Sequence, residues 1–387
     1  MTWPLVKLGD IAEWGSGGTP PRSNRDYFDG QIPWAAISDL TDGDVTHTAE
    51  SITDLGLKNS SAKIVYPGSL LVAMYGSIGK LGIPSVPMAT NQAIAFAIPG
   101  KSVDLRFLYH YFLFSRPQLI AAGNGGTQSN ISQTKLKNWM IPLPPLTEQR
   151  RIAAILDQAN SLRSMQRHTI EELSSLRSSI FDEMFGNPSS NKHSFPTTTI
   201  GQLADSVQYG TSEKSGHDGA YPVLGMGNIT SSGLIDATRT KRMDLASDKV
   251  DRFTLRRGDL LFNRTNSPEL VGKAAVYESD DPAAYAGYLI RVRTNDDAEP
   301  HYVSGYLNSR HGKATLRNMC KAIIGMANIN ATELRSVTIL DAPAEKQHEY
   351  ANAARSLNAQ RSKQAQRLKQ LDALFSSLQS RAFRGEL

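Results

Sequence analysis

The stretch "PLPPLTEQRRIAAILDQANSL", residues 142–162, changes abruptly from a proline-rich segment to a sequence with helical spacing. The helix predicted to begin there has no Gly or Pro through residues 146–185, a run of 40 residues. A related stretch, "LDAPAEKQHEYANAARSLNAQ" at residues 340–360, opens a second such run of 41 residues at 344–384. At a rise of about 1.5 Å per residue, each helix would be roughly 60 Å long. The sequence therefore predicts two very long helices.

Both predicted helices carry a narrow stripe of mostly apolar residues at alternating steps of three and four, which is typical of a coiled coil. Polar residues interrupt both stripes near the middle, a device that fixes the register of the pairing. We expect the two helices to pair antiparallel within the chain, and the alternative is that each pairs with another molecule. The predicted seam residues are Ile152, Ile155, Leu162, Leu173, Leu176, Ile180, Tyr350, Leu357, Leu371, Leu374 and Leu378.

An internal repeat links the two halves of the chain, because short matches recur in the same order. "GQIPWAAISDL" at residue 30 matches "GAYPVLGMGNI" at 219, and "GSLLVAM" at 68 matches "GDLLFNR" at 258. From Ile131 and Ile329 onwards the offset stays at 198, whereas it drifts by a few residues before that point. Such drift is expected where insertions fall in surface loops. Each half is therefore predicted to be a loop-bearing globular part followed by a rigid helix.

The globular parts show strand and helix patterns together. "KIVYPGSLLVAMYGS" has short apolar runs divided by Gly, which indicates strand–turn–strand, and residues 104–122 have helical spacing behind Asp104 as N-cap. We predict an α+β fold in which two pseudo-symmetric, mixed and β-rich domains are separated by two long helices that form an intramolecular antiparallel coiled coil. The predicted segments are residues 1–145, 146–186, 187–343 and 344–387.

Composition excludes several classes of protein. The single cysteine, Cys320, excludes an internal disulfide and a cysteine-clustered metal site. The first residues lack the pattern of a signal peptide, and no apolar run is long enough for a membrane span, so we expect a cytoplasmic protein without a membrane partner. The net charge of +5 permits a polyanionic partner.

Motifs of several enzyme classes are absent from the sequence. "GSIGKL" and "ELVGKA" do not match the phosphate-binding loop GxxxxGK[ST], and no [DN]PP[YF], HExxH or GxSxG motif occurs. The eight histidines have no metal-ligand spacing. We therefore predict a non-catalytic chain with no metal site and no cofactor of its own.

Two similar domains on long helices suit a long, regular target such as duplex DNA, which proteins read at half-sites roughly 34–36 Å apart. Loop Arg and Lys side chains can contact phosphates or guanine, and Asn and Gln can read adenine. Each residue also has a plainer interpretation, because loop Asn usually shapes a turn. The candidate DNA-binding residues chosen on this basis are Arg22, Arg25, Asn91, Gln128, Asn130, Arg264, Asn266, Lys273 and Asn328.

Three segments carry a resemblance to a known family: "LGDIAEWGSGGTPP" at residue 8, "GQIPW" at residue 30 and "GGTQSNISQTKLKNWMIPLPPLTEQRRIAAIL" at residue 125. They resemble the specificity subunit of Type I restriction-modification systems, and the resemblance covers the whole chain in the order domain, helix, domain, helix. The second copy departs further, since "LDAPAEKQ" stands where the first has "PLPPLTEQ".

The resemblance implies that each target-recognition domain reads one half of a bipartite, asymmetric site in double-stranded DNA, while the coiled coil sets the spacing. It implies two methyltransferase subunits that use S-adenosylmethionine, and ATP-dependent restriction subunits that translocate and cleave DNA. These cofactors would belong to the partners. The resemblance adds Thr127, Gln128, Ser129 and Asn130, with Asn328 and Asn330 as the weaker match, and gives Ile131 and Ile329 as packing anchors.

Two alternatives remain open at this point. The chain could be a coiled-coil scaffold whose two globular parts bind protein partners, or an enzyme whose motif differs from those searched. Methyl transfer by the isolated chain would favour the enzyme, and failure to retain duplex DNA would favour the scaffold.

Overall fold

The computed structural model describes residues 3–123, 130–266, 272–320 and 327–387, apart from the side chains at 266 and 327. The chain forms two compact units: unit 1 contains residues 1–165 and 368–387, and unit 2 contains residues 166–367. Each unit has a globular head and part of both long helices. The units cut across the four segments predicted from the sequence, because the ends of the long helices pack into the heads.

The head of unit 1 is built around a five-stranded sheet in the order β2-β10-β7-β8-β4 and a four-stranded sheet in the order β5-β3-β9-β6, while β1 pairs with β11. Its elements are β1 (Leu5–Lys7), α1 (Leu8–Ile11), β2 (Ala12–Ser16), β3 (Phe28–Ala35), β4 (Gly43–Val45), β5 (Glu50–Ile52), α2 (Asp54–Lys58), β6 (Ile64–Val65), β7 (Leu70–Ala73), β8 (Leu81–Pro84), β9 (Met88–Thr90), β10 (Ile94–Pro99), α3 (Leu105–Ala122), α4 (Gln133–Lys137) and β11 (Met140–Pro142). The first long helix, α5 (Leu146–Met184), follows.

The head of unit 2 has two four-stranded sheets, in the orders β13-β21-β17-β19 and β15-β14-β20-β16, and the pairs β12-β23 and β18-β22. Its elements are β12 (Thr197–Thr199), β13 (Ala204–Tyr209), β14 (Tyr221–Leu224), β15 (Lys241–Met243), α6 (Val250–Phe253), β16 (Thr254–Leu255), β17 (Leu260–Asn263), β18 (Thr265–Asn266), β19 (Ala274–Val276), β20 (Ala283–Tyr285), β21 (Leu289–Thr294), α7 (Pro300–Asn308), α8 (Arg310–Met319), β22 (Ala327–Asn328), α9 (Ala331–Arg335) and β23 (Thr338–Leu340). The second long helix, α10 (Ala344–Arg384), comes last.

The duplication is visible in the topology. The order β2-β10-β7-β8 in unit 1 matches β13-β21-β17-β19 in unit 2, and the pair β1-β11 matches β12-β23. The short helices α4 and α9 are related by the offset of 198 found in the sequence. The two units differ at α3, because its counterpart in unit 2 is divided at Ser309 into α7 and α8. The Ser309 hydroxyl accepts a hydrogen bond from the amide of Gly312 and caps α8.

Helices α5 and α10 run antiparallel inside each unit, which confirms the predicted pairing. In unit 1, Arg151 donates to the carbonyl of Leu387 at 2.7 Å, and Arg163 Nε lies 2.6 Å from Asp372 Oδ1. The contacts in unit 2 are Gln166 Nε2 to Gln364 Oε1 at 2.7 Å and Arg361 Nε to Ser174 Oγ at 3.0 Å. In both units residue numbers rise along one helix as they fall along the other.

The predicted seam is correct in part. Ile152 and Tyr350 are buried, and the partly buried seam residues are Ile155, Leu173, Ile180, Leu357, Leu371 and Leu378. The prediction is wrong for three leucines, since Leu162, Leu176 and Leu374 are 46%, 47% and 51% exposed. A strict 3.5-residue period drifts around a helix of 3.6 residues per turn. The less exposed positions follow one residue later in each case, at Arg163, Arg177 and Phe375.

A buried glutamine fixes the start of each long helix to its head. Gln149 Oε1 accepts from the amide of Asp104 at 2.8 Å, and its Nε2 donates to the carbonyls of Ser102 and Pro144. Gln347 repeats this arrangement in unit 2, with its Oε1 3.0 Å from the amide of Glu299. The sequence repeat aligns these two glutamines but does not reveal their role.

Across the described ranges, the helices are all too short or too polar to cross a lipid bilayer.

Candidate nucleic-acid interface

Four polar loops meet at one end of the five-stranded sheet of unit 1, and we call residues 17–22, 74–76, 91–93 and 130–131 loop cluster 1. They follow the ends of β2 and β7 and precede β10 and α4. Three backbone hydrogen bonds join them: Gly17 N to Ile94 O at 3.2 Å, Met74 N to Ala93 O at 2.8 Å and Ile131 N to Met74 O at 2.9 Å. Loops that are distant in sequence are thereby held as one surface.

Unit 2 has the same arrangement, and we call residues 210–213, 264–266, 286–288 and 328–329 loop cluster 2. The corresponding bonds are Gly210 N to Leu289 O at 3.1 Å, Arg264 N to Tyr288 O at 3.1 Å and Ile329 N to Arg264 O at 2.9 Å. The isoleucines at the matching ends of both clusters, Ile131 and Ile329, are 1% and 0% exposed. They anchor the loops by packing, as the sequence predicts.

Glycine is required where the first loop of each cluster approaches another strand. A Cβ on Gly17 would lie 2.0 Å from the carbonyl oxygen of Thr90, and one on Gly210 would lie 2.3 Å from that of Tyr285. No side chain fits at such distances, so the loops reach these positions only because these residues are Gly. This explains one of the glycines in the "GSGG" segment of the sequence.

In loop cluster 1, Arg22 is exposed and lies 4.8 Å above the ring of Phe28 and 5.0 Å from that of Trp34. The same guanidinium pairs with Glu50 at 2.7 Å. These contacts hold the side chain against an aromatic surface. Arg25, in the short 3-10 helix Arg25–Tyr27, is exposed and lies just outside the cluster.

Two asparagines of loop cluster 1 differ in their surroundings. Asn91 Oδ1 accepts a hydrogen bond from the amide of Ala93 at 3.1 Å, so this side chain shapes its own turn. Asn130 is exposed and forms an isolated bridge with Tyr75, which is also exposed. Thr127, Gln128 and Ser129 lie outside the described residues.

Loop cluster 2 brings three predicted residues together. The Arg264 guanidinium lies 4.8 Å from the centre of the Tyr209 ring. Strand β18, which ends at Asn266, pairs antiparallel with β22, so Thr265 faces Asn328. The exposed Asn328 accepts a hydrogen bond from the Thr265 hydroxyl at 3.3 Å. An open cleft of about 610 Å³ adjoins this surface and includes Tyr209 in its wall.

Two of the predicted residues, Lys273 and Asn330, have structural roles within the head. Lys273 Nζ donates to the carbonyl of Ile229 at 2.5 Å, and Lys80 makes the equivalent bond to Ile37 in unit 1. Burial lowers the pKa of Lys273. Lys273 and its counterpart Lys80 thus each bond to a carbonyl of their own head, and the phosphate contact of Lys273 stays a prediction.

Asn330 is the N-cap of α9, and its Oδ1 accepts from the amide of Glu333 at 2.9 Å. The Glu333 carboxylate accepts in return from the amide of Asn330, which completes a capping box. The side chain of Asn330 thus caps a helix, and its DNA contact stays a prediction.

Lys313, in α8, is a further lysine of this head with an internal bond, and the sequence gives no sign of its role. Its Nζ donates to the carbonyl of Gly272 at 2.7 Å. Burial, and then repulsion from Lys273 and Arg317, lower the pKa of Lys313 to about 8. In unit 1 the carbonyl of Gly79 receives its bond from Arg116 instead. That arginine pairs with Asp42 at 2.9 Å, whereas Lys313 makes no ion pair within the described ranges. The aligned segments "IGKLGI" and "VGKAAV" match the accepting glycines, Gly79 and Gly272, but do not reveal which side chain donates to each.

The sequence of this chain is similar to that of known specificity subunits. Residues 1–175 match the family model of the Type I restriction modification DNA specificity domain. The EcoKI specificity subunit of Escherichia coli strain K12 is 24% identical over 387 residues, which covers 93% of this chain and 83% of that protein. The EcoR124I/EcoR124II specificity subunit of Escherichia coli is 30% identical over 162 residues, and this match spans only 40% of either chain.

The fold is similar to that of solved structures over the full length. The S subunit of a Type I restriction-modification system from M. genitalium superimposes with a TM-score of 0.59 at 14% identity, covering 99% of this chain and 96% of that one. A chain from a structural study of complex assembly in the type I R-M system gives a TM-score of 0.56 at 19% identity, covering 100% and 98%. The chain is thus similar in sequence and in fold to the specificity subunits of Type I restriction-modification systems, and its residues 1–175 match the model of the DNA specificity domain family.

Proposed function

We propose that this chain is a non-catalytic DNA-specificity subunit, and that each head reads one half of a bipartite, asymmetric site in double-stranded DNA. The observation that carries the proposal is the repetition of one loop arrangement. Each unit holds four polar loops at the same end of its own sheet, and equivalent backbone hydrogen bonds join the loops in both units. The match of residues 1–175 to a DNA specificity domain supports DNA as the target.

The side chains of loop cluster 2 suit this task. Arginine can bind the O6 and N7 atoms of guanine in a bidentate way, and Asn can do the same with adenine, each pair contributing roughly 1–3 kcal/mol of discrimination. Arg264 stacks on Tyr209, and Asn328 is exposed beside it. In loop cluster 1 the exposed Asn130 beside Tyr75 offers the same chemistry for the other half-site.

The paired helices would set the distance between the two half-sites and dock two methyltransferase subunits. These partners would bind S-adenosylmethionine and methylate a base that they flip out of the duplex. ATP would be used by the restriction subunits. The whole complex would then share one sequence preference, supplied by this chain.

The proposal is tested by reconstituting the chain with its methyltransferase subunits and selecting from a random duplex library. We expect a motif of two fixed blocks with an undefined spacer between them. Loss of all duplex retention even at low salt would contradict a DNA-binding function and favour the protein-binding scaffold. A single continuous block would contradict the division of the site between the heads.

Substitution of one arginine tests the assignment of loop cluster 2. In Arg264→Ala we expect one half-site to lose specificity at a single position, at a cost of roughly 1–3 kcal/mol, while the other half-site is unchanged. The matched control is Arg257→Ala, since Arg257 is an exposed arginine paired with Asp280 outside the cluster. Uniform weakening on every sequence would show that Arg264 contacts phosphate instead.

A further inference from the structure

Unit 2 contains a cavity of about 320 Å³ between the C-terminal half of α5, the loop at residues 231–233 and helix α7. Eight of its nine lining residues carry a hydroxyl, amide or guanidinium group. The lining residues are Ser174, Ser175, Arg177, Ser178, Ser231, Ser232, Gly305, Asn308 and Tyr350. Ser174, Arg177 and Ser178 share one face of α5, since they are spaced by three and four residues.

Arg177 is the charged group of this cavity. Its guanidinium donates to the carbonyls of Ser232 and Gly233, the second at 3.4 Å. The chain makes room for it at Gly233, where φ is +71° and a Cβ would lie 2.7 Å from Arg177 Nη2. Within the described ranges Arg177 makes no ion pair, and burial lowers the pKa of its guanidinium.

Arg361 on α10 adds a second positive charge. Its Nε donates to Ser174 Oγ at 3.0 Å. Burial, and then repulsion from Arg177, lower the pKa of Arg361. The nearby carboxylate of Glu278 is engaged elsewhere, with His301 at 3.2 Å. Two arginines thus lie close together, and no carboxylate of the described residues contacts either of them.

The matching positions of unit 1 hold an arginine paired with a carboxylate. In unit 1, Arg163 Nε bonds to Asp372 Oδ1 at 2.6 Å, and its guanidinium lies 4.2 Å from the ring centre of Phe375. The offset of 198 equates Arg163 with Arg361, Asp372 with Ser174, and Phe375 with Arg177, each pair exchanging its place between α5 and α10. Arg163 thus bonds to a carboxylate in unit 1, whereas in the described part of unit 2 neither Arg177 nor Arg361 does.

We propose that this cavity binds a phosphate-sized oxyanion, free or carried by a small molecule, between Arg177 and Arg361. The anion would take the place that the Asp372 carboxylate has in unit 1. Unpaired buried charges are costly, and arginine binds phosphate oxygens through paired, charge-assisted hydrogen bonds. The serine hydroxyls supply further donors, and the volume exceeds what a single carboxylate group requires.

The test measures thermal unfolding and calorimetric binding of the full chain with inorganic phosphate and with a nucleoside 5′-monophosphate at constant ionic strength. For the wild type we expect a saturable rise in Tm. In Arg177→Met the binding constant should fall roughly 10- to 100-fold, as when charge-assisted hydrogen bonds are lost. Tighter binding of the nucleotide would indicate a phosphate carried by a small molecule, and tighter binding of inorganic phosphate would indicate free phosphate.

Two further variants separate a site from a general salt effect. Ser174→Asp supplies the carboxylate found in unit 1, so it should raise Tm without phosphate and abolish the response to phosphate. Arg163→Gln, at the matching position of unit 1, should keep that response. Since phosphate also stabilises proteins by exclusion from their surface, equal responses in the wild type, Arg177→Met and Ser174→Asp would overturn the proposal. Absence of any response in the wild type would overturn it as well.

Discussion

For single residues, equivalent backbone carbonyls in the two heads accept hydrogen bonds from different cationic side chains. Arg116 and Lys313 bond to the carbonyls of Gly79 and Gly272, which are equivalent positions in the repeat. Among the described residues, Arg116 pairs with the Asp42 carboxylate and Lys313 pairs with none. An amine held inside the head without a carboxylate is costly to keep charged, because burial removes its water.

This difference predicts a pH dependence for Lys313. Its folded-state pKa of about 8 lies below the unfolded value, so the unfolded chain binds more protons above pH 8 and stability rises with pH there. Relative to Lys313→Met, the wild type should gain roughly 3 kcal/mol as the pH rises from 8 towards 10.5. Denaturant unfolding at several pH values measures this gain, with the exposed Lys369→Met as control. A constant difference between wild type and Lys313→Met would contradict the buried, charged lysine.

Residue types alone could not distinguish the loop asparagines. Asn91, Asn130 and Asn330 all lie in polar segments, yet one shapes a turn, one is exposed and one caps a helix. Two of these roles are local, because Asn91 bonds the amide of Ala93 and Asn330 that of Glu333. The position of Asn130 beside Tyr75 depends on strand order, since β2 and β7 flank β10 and bring separate loops together. Such pairing between distant segments leaves no local mark in the sequence.

At the scale of elements, helix α5 is fastened to α3 by an ion-pair cluster in unit 1. Asp157 Oδ1 lies 2.7 Å from His110 Nε2, and Asp157 Oδ2 lies 3.0 Å from Arg106 Nε. Burial raises the pKa of Asp157, but the hydrogen bonds from His110 and Arg106 outweigh it, and the pKa falls to about 2. Unit 2 fastens α10 to its head with the charges exchanged, through Arg355 and Glu299.

The cluster predicts an acid-sensitive contribution to stability. A carboxyl with a lowered folded pKa stabilises the protein above its unfolded pKa, near 4, and this contribution is lost as the pH falls through about 2. After allowance for partial exposure, Asp157→Asn should cost about 1–2 kcal/mol at pH 7 and little at or below about pH 2. Urea unfolding across this range measures it, with the exposed Glu171→Gln as control. An equal cost at both pH values would show that packing, and not charge, is lost.

The bounds of the long helices were predictable, whereas their contact face was predictable only in part. Prolines precede both helices and no Gly or Pro interrupts them, so the sequence identifies the starts at Leu146 and Ala344. The seam could not be read as an apolar stripe, because Arg163 lies in it, bonded to Asp372 and stacked on Phe375. A long charged side chain can lie in a seam when it finds a partner there.

At the scale of the whole molecule, the proposal assigns base reading to the loop clusters and spacing to the paired helices. The two tasks are located in different elements, since each cluster lies at the end of a sheet in its own unit. They should therefore respond to different changes in the chain. Substitutions in a cluster should alter the bases read, and changes in helix length should alter only the spacer.

The most direct test removes seven residues from α5 and the seven facing residues from α10, which keeps the heptad register of both helices. At a rise of about 1.5 Å per residue, each helix shortens by roughly 10 Å, equivalent to about three base pairs. Methylome sequencing of cells that carry the shortened chain with its methyltransferase partners gives the recognised motif. The proposal predicts both half-sites unchanged with a spacer about three base pairs shorter, and altered half-site sequences with an unchanged spacer would contradict it.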